Sequence, residues 1–150
     1  MTLLSGSYTY AVDSKGRISL PAKLRKAISP QANETFTITR GFEKCIFVYP
    51  QDEWEKFVKA ISALSVAHPE HRFFMRTLLE PVAESPLDSQ SRISVPKTLL
   101  EFAGIENEVL ILGVFEHIEL WNPEEYRAYK ASHPKSYEEV AQSLILNKQM

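Results

Sequence analysis

At 150 residues the chain is about one domain long, and its 44% apolar and 24% charged residues are those of an ordinary soluble globular protein. No apolar run approaches the roughly 18–20 residues of a membrane span; the first ten residues hold neither Lys nor Arg and do not read as a signal peptide. One cysteine, Cys45, excludes an internal disulfide framework and fits the cytoplasm, while a net charge of −2 leaves any polyanionic partner to be sought in local charge.

Tyr8, Tyr10 and Val12 alternate with Ser7, Thr9 and Ala11, the period of a half-buried strand. Asp13-Ser14-Lys15-Gly16 then supplies a turn, because an Asp side chain bonds backbone two residues on and Gly takes a left-handed conformation at no steric cost. Ile18 and Leu20 resume the alternation. Pro21 suits a first helical turn with its cap at Ser19 or Leu20, and Leu24, Ala27 and Ile28 give a short apolar face ended by Ser29-Pro30. Strands follow over 35–40 and 45–49. After Pro50, Trp54, Phe57, Val58, Ile61 and Leu64 recur at helical spacing until His68-Pro69. Phe73, Phe74, Leu78 and Leu79 mark another helix, ended before Pro81. Pro86 opens a second series: a turn, a strand over 93–95, a helix over 96–103 stopped by Gly104, strands over 109–113 and 117–121, and a helix over 124–129. A last helix over 136–146 is expected to turn Val140, Ala141 and Leu144 inward.

The second series is the first repeated. Residues 13–25 and 88–100 are identical at seven positions, with Asp, Arg, Ile, Ser, Pro and Leu in register. Phe42-Glu43 and the Pro50 that follows return at Phe115-Glu116 and Pro123. Such self-similarity identifies the structural unit. Each half, 5–80 or 81–150, lies near the lower limit for a stable core, so one domain over 1–150 is expected. Each unit reads strand, turn, strand, short helix, two strands, helix. Four short strands leave edges that one unit cannot cover, and interleaving the hairpins of two units removes most of them. The expected fold is α+β: a pseudo-two-fold swapped-hairpin β-barrel with flanking helices.

Local charge is uneven. Lys15, Arg17, Lys23, Arg25 and Lys26 fall within fourteen residues, against Asp13 alone, whereas the second repeat offers only Arg92 and Lys97. The N-terminal repeat should therefore dominate any contact with a polyanion. An arginine fork suits two acceptors of guanine in the major groove, which marks Arg17 and Arg92. Lys15, Lys23, Arg25 and Lys26 suit phosphates, which position without reading sequence. Asp13, Gly16 and Asp88 would hold the turns so that the arginines point outward.

Catalysis finds no footing, and no metal or cofactor is expected. His68-Pro69-Glu70-His71 reads as a helix-start turn, with Pro69 interrupting any helix that would align the two rings. His117 and His133 are isolated, Cys45 lies in an apolar strand, and five scattered glycines cannot make a phosphate-cradling loop. Trp54, Phe57, Phe73 and Phe74 read as core or subunit contacts.

A strand pair around Asp-x-x-Gly-Arg, followed by Pro and a short helix, resembles the AbrB-type swapped-hairpin transcription factors. Two such units in 150 residues, with Val48-Tyr49-Pro50 followed by an acidic, Trp-containing helix, resemble the MraZ family over nearly the whole chain. The resemblance implies a bacterial, nucleoid-associated regulator that binds repeated double-stranded DNA boxes ahead of a division and cell-wall gene cluster. It also implies ring-shaped homo-oligomers, with the turns at 13–17 and 88–92 facing DNA. The chain departs from the pattern at Ser91, which replaces the second glycine and predicts a distorted second turn. The competing reading is an antitoxin-like protein–protein module that grips a partner through a disordered tail; helical periodicity after Ala131 argues against it.

Overall fold

A computed structural model describes residues 3–149. In the first half, β1 (Ser7–Ala11) leads through the Asp13 turn into β2 (Arg17–Ser19) and α1 (Ala22–Ala27). A 3-10 turn (Pro30–Ala32), β3 (Thr35–Arg40), β4 (Ile46–Pro50) and α2 (Gln51–Ile61) follow, and α3 (Pro69–Leu79) joins the halves. The second half repeats the order with β5 (Ala83–Pro86), β6 (Arg92–Ser94), α4 (Lys97–Ala103), β7 (Glu108–Val114), β8 (His117–Trp121) and α5 (Pro123–Ala131), and then adds α6 (Tyr137–Gln149). Pro21 itself, not Ser19 or Leu20, precedes the first turn of α1, and no side chain caps it. Leu20 is held back in the strand pairing, its N–H donating to the Ser91 carbonyl at 3.0 Å.

Six strands form one antiparallel sheet in the order β1-β7-β8-β4-β3-β5, and β2 pairs with β6 in a two-stranded ribbon. The outer strand at each end belongs to the other half: β1 pairs with β7, and β5 with β3. This is the interleaving that the bare edges demanded. The pairs β4–β8 and β2–β6 each join equivalent strands, so a pseudo-two-fold passes between them. Bonds across the halves obey it. Leu20 N–H to Ser91 O is matched by Val95 N–H to Gly16 O, both at 3.0 Å. Val12 N–H to Asn107 O at 2.9 Å is matched by Leu87 N–H to Glu34 O at 2.8 Å.

Alternation decides which face each strand residue covers. On one face Phe36, Ile38, Ile46, Val48, Ile111 and Ile118 meet Ile18 and Ile93 of the ribbon, with Leu24 and Leu99 from the short helices. Sheet and ribbon thus enclose one core, in the expected barrel-like arrangement. The central strand β4 is buried throughout, because its other face carries a second cluster of Phe47, Tyr49, Trp54 and Trp121 under α2 and α5. Fully burying one such side chain is worth about 1.5–3 kcal/mol. One expectation is corrected here: on α6 Leu144 is 63% exposed, with only Val140 and Ala141 half-buried, while of the two readings open to Phe73, core or subunit contact, its 72% exposure removes the first. Periodicity reports that a helix has an apolar stripe and is silent on whether this chain covers it. Among the described residues no helix is long and apolar enough to cross a membrane.

Candidate nucleic-acid interface

The two Asp turns lead directly into the two strands of the ribbon. In the first, Asp13 Oδ1 accepts the backbone N–H of Lys15 at 2.9 Å and of Arg17 at 2.8 Å. Its Oδ2 accepts from Arg17 Nε at 2.6 Å. The second turn repeats each bond, with Gln90 N–H at 2.8 Å, Arg92 N–H at 2.9 Å and Arg92 Nε at 2.7 Å, all on Asp88. The expected distortion at Ser91 is absent. Ser91 takes φ 58°, beside 77° at Gly16, and donates to the Asp88 carbonyl at 3.0 Å as Gly16 does to that of Asp13. A non-glycine residue in that region is strained and persists where its surroundings over-determine it. Three bonds to Asp88 and the pairing with β2 supply that constraint.

Each arginine is held by its Nε edge, so the arginines lie back along their turns and do not project freely; Arg17 is 33% exposed at the side chain and Arg92 22%. Holding a guanidinium at Nε leaves its terminal nitrogens as a fork for another acceptor. The turns also touch. Arg92 Nη1 stands 3.7 Å from Asp13 Oδ2, so Asp13 faces both arginines, and among the described residues no matching ion pair joins Arg17 to Asp88. These contacts set the carboxyl chemistry. The Arg17 backbone N–H, against some desolvation and with help from the guanidinium and Lys15 N–H, lowers the Asp13 carboxyl to about 2. For Asp88 desolvation opposes the shift, but the Arg92 N–H and guanidinium and the Gln90 N–H outweigh it, and its carboxyl is lowered too.

The swap redistributes the cations. The groove beside the first turn is lined by Asp13, Lys15 and Gly16 together with Lys97 and Leu100 of α4. A second groove is lined by Arg25 and Lys26 of α1 with Ser29, Asn33 and Glu34, and it reaches Leu87, the residue before the second turn. Lys15, Lys23, Lys26 and Lys97 are exposed, and Arg25 is half-buried with its Nε donating to the Leu20 carbonyl at 3.1 Å. The cations thus do not sort by repeat: Lys97 of the second repeat lines the groove beside the first turn, and Arg25 of the first repeat is joined through Leu20 to Ser91 of the second turn. Lys97 was counted from sequence as a cation of the second repeat but given no place beside the first turn. Its position directly after Pro96 was the available signal, once interleaved hairpins were taken to carry α4 behind the opposite turn.

The family model described as "MraZ protein, putative antitoxin-like" matches twice, over residues 3–77 and 78–148. The chain belongs to the MraZ family. It is similar to the transcriptional regulator MraZ of Syntrophomonas wolfei, 39% identical over 140 residues that cover 93% of this chain and 95% of the relative. The transcriptional regulators MraZ of Halothermothrix orenii and Heliobacterium modesticaldum are 38% and 37% identical, each over 95% of this chain and 96% and 97% of their own lengths. All three bear the name of a regulator and not of an enzyme. The two matches cover the two series of elements whose hairpins interleave, and the boundary between them falls within α3.

The remaining reactive groups of this MraZ chain are engaged in structure. His68 and His71 do stack, with ring centroids 4.3 Å apart, because Pro69 begins α3 instead of interrupting it and places the two rings one turn apart. Each Nδ1 accepts a backbone N–H, His68 from Glu70 at 3.2 Å and His71 from Ser65 at 2.9 Å. His117 and Trp121 both reach Glu119, at 3.1 and 2.9 Å. Burial, with the nearby Glu119 charge, pushes the Cys45 thiol up to about 12, far from a reactive thiolate. Among the described residues no three His, Cys, Asp or Glu side chains are grouped to hold a metal ion.

Proposed function

We propose that this protein is a sequence-specific DNA-binding transcriptional regulator that reads repeated promoter boxes as a homo-oligomer. One observation carries the reading: two equivalent turns at the ends of one ribbon each hold an arginine by Nε, which leaves the terminal nitrogens of Arg17, and those of Arg92 with Nη1 shared with Asp13, for an outside acceptor. Arg17 and Arg92 read base edges, most naturally guanine O6 and N7. Lys15, Lys23 and Arg25 take phosphates. Asp13, Gly16 and Asp88 position the turns. The resemblance adds the setting, a bacterial cytoplasm and nucleoid, and the target, boxes ahead of a division and cell-wall gene cluster.

Assembly follows from charge. One chain brings few cations against a net charge of −2, so strong binding needs several copies on one duplex, where effective concentration multiplies contacts. Trp54 on α2 is spent on the chain's own core, but Phe73 and Leu79 on α3 and Leu144, Ile145 and Leu146 on α6 are exposed and suit subunit contacts. A ring presents equivalent turns to one face of the duplex, which calls for boxes about one helical turn, or 10–10.5 base pairs, apart. Inserting about five base pairs between boxes should abolish the multivalent gain, and about ten should restore part of it. A footprint indifferent to box phasing would remove the case for a ring that reads repeats. The exposed α6 also favours a protein–protein module, and co-purification of an unrelated small protein in fixed ratio, without DNA binding, would favour that reading instead.

A further inference from the structure

The cations of α1 and the arginine of the second turn come from different repeats, yet the swap brings them together. Arg25 Nε donates to the Leu20 carbonyl, and Leu20 N–H donates to the carbonyl of Ser91 at the tip of the second turn. Two hydrogen bonds thus connect Arg25 to the turn that presents Arg92. The pseudo-two-fold makes the same placement from the other side. Seventy-five residues on, Arg25 becomes Leu100, and a Cβ added to Gly16 would lie 3.3 Å from Leu100 Cδ1. Leu100 therefore backs the first turn, and its counterpart Arg25 backs the second. Among the described residues no carboxylate pairs with Arg25; Glu34 shares its groove without forming an ion pair.

We infer that each DNA-contacting loop is a composite of both repeats, and that Arg25, with Lys26, serves the second loop beside Arg92 and not the first loop beside Arg17. The inference rests on the DNA-reading proposal and adds a partition to it. Ser91 and Gln90 deprive the second turn of its own glycine and lysine, and Arg25, two hydrogen bonds from Ser91, brings a charge to that end of the ribbon. A phosphate seated against Arg25 and a base edge taken by Arg92 would then lie on one stretch of duplex. The terminal nitrogens of Arg25 remain for that phosphate because only Nε is bound within the chain.

A double-mutant cycle on the full chain tests the partition, using a duplex selected by the wild type from a random library and a scrambled duplex of equal length. Arg25→Ala should lower affinity on both duplexes and reduce the salt slope by about 1. In an Arg92→Ala background its further effect should fall below about twofold, since both contacts then leave together, whereas in an Arg17→Ala background it should persist in full. Arg25→Lys should keep most of the salt slope. If Arg25→Ala impairs folding, exposed Lys26→Ala runs the same cycle. Coupling of Arg25 to Arg17, coupling to neither arginine, or no effect of Arg25→Ala in a folded protein would overturn the partition while leaving DNA reading intact. A wild type that binds selected and scrambled duplexes equally would overturn both.

Discussion

Asp13 does two separable things, and its titration distinguishes them. Its carboxyl lies near 2 in the fold against an ordinary 3.8, so the turn is stabilised above the ordinary value and that contribution is lost as pH falls through about 2. Following its carboxyl carbon by NMR should place the midpoint near 2 in the wild type. Arg17→Ala should raise that midpoint while leaving it below 3.8, because the backbone N–H bonds, the largest cause, survive. A midpoint unmoved by the substitution would mean the arginine is not held by Asp13. The paired turns also make opposite predictions at one position. Gly16→Ala sets a Cβ 2.7 Å from the Val95 carbonyl oxygen at φ 77°, and should cost about 1–3 kcal/mol in chemical denaturation. Ser91→Gly relieves a left-handed side chain at about 1–2 kcal/mol but gives the unfolded chain entropy worth about 0.5–1, for a small net gain. Equal losses at both positions would contradict the shared turn geometry. The turn residues were legible because Asp and Gly have local reasons to be there. The tolerance of Ser91 was not, because it comes from pairing with a strand of the other repeat, and neither was the Nε hold on each arginine, which depends on side-chain direction.

The element that brings the two turns together is the β2–β6 ribbon, three residues on each strand, with Ile18 opposite Ile93 and both fully buried. Ile18→Ala or Ile93→Ala should each cost about 2–5 kcal/mol by thermal or chemical unfolding. The double variant should lose less than their sum, since the residues share one pocket. Strict additivity would mean the ribbon does not close over a common core. The strands given bounds from sequence and the short helices were readable to within a residue or two from alternation, Pro and Gly, and the interleaving followed from counting uncovered edges; β5, four residues ending at Pro86, was too short and too polar to be placed. Helix faces were readable only where the chain itself covers them. Trp54 and Phe73 carry the same kind of signal, yet one lies under Tyr49 and the other is exposed. The same limit hid the surroundings of Arg25, which is eight residues from Arg17 in sequence yet is joined through Leu20 to the Ser91 turn of the other repeat.

Across the whole molecule, swapping makes neither half self-sufficient. A chain of residues 1–80 would lack the β7 partner of β1 and the β5 partner of β3, and should not behave as a folded monomer by NMR and sedimentation. A well-dispersed monomer spectrum would contradict the interleaved sheet. Assembly should respond to the exposed stripes: light scattering of the full chain should give a closed oligomer, and Phe73→Glu or Leu144→Glu should lower its mass without unfolding it. A monodisperse monomer at micromolar concentration would end the argument for multivalent reading. The central claim, that the held arginine of each turn reads DNA, is tested most directly by titrating wild type and Arg17→Ala against selected and scrambled duplexes at several salt concentrations. The wild type should prefer the selected duplex by about a thousandfold or more. Arg17→Ala should lose about 1–3 kcal/mol per site on the selected duplex, roughly 5- to 150-fold, and far less on the scrambled one. Equal affinities of wild type and variant for the selected duplex, with fold and oligomer intact, would contradict it.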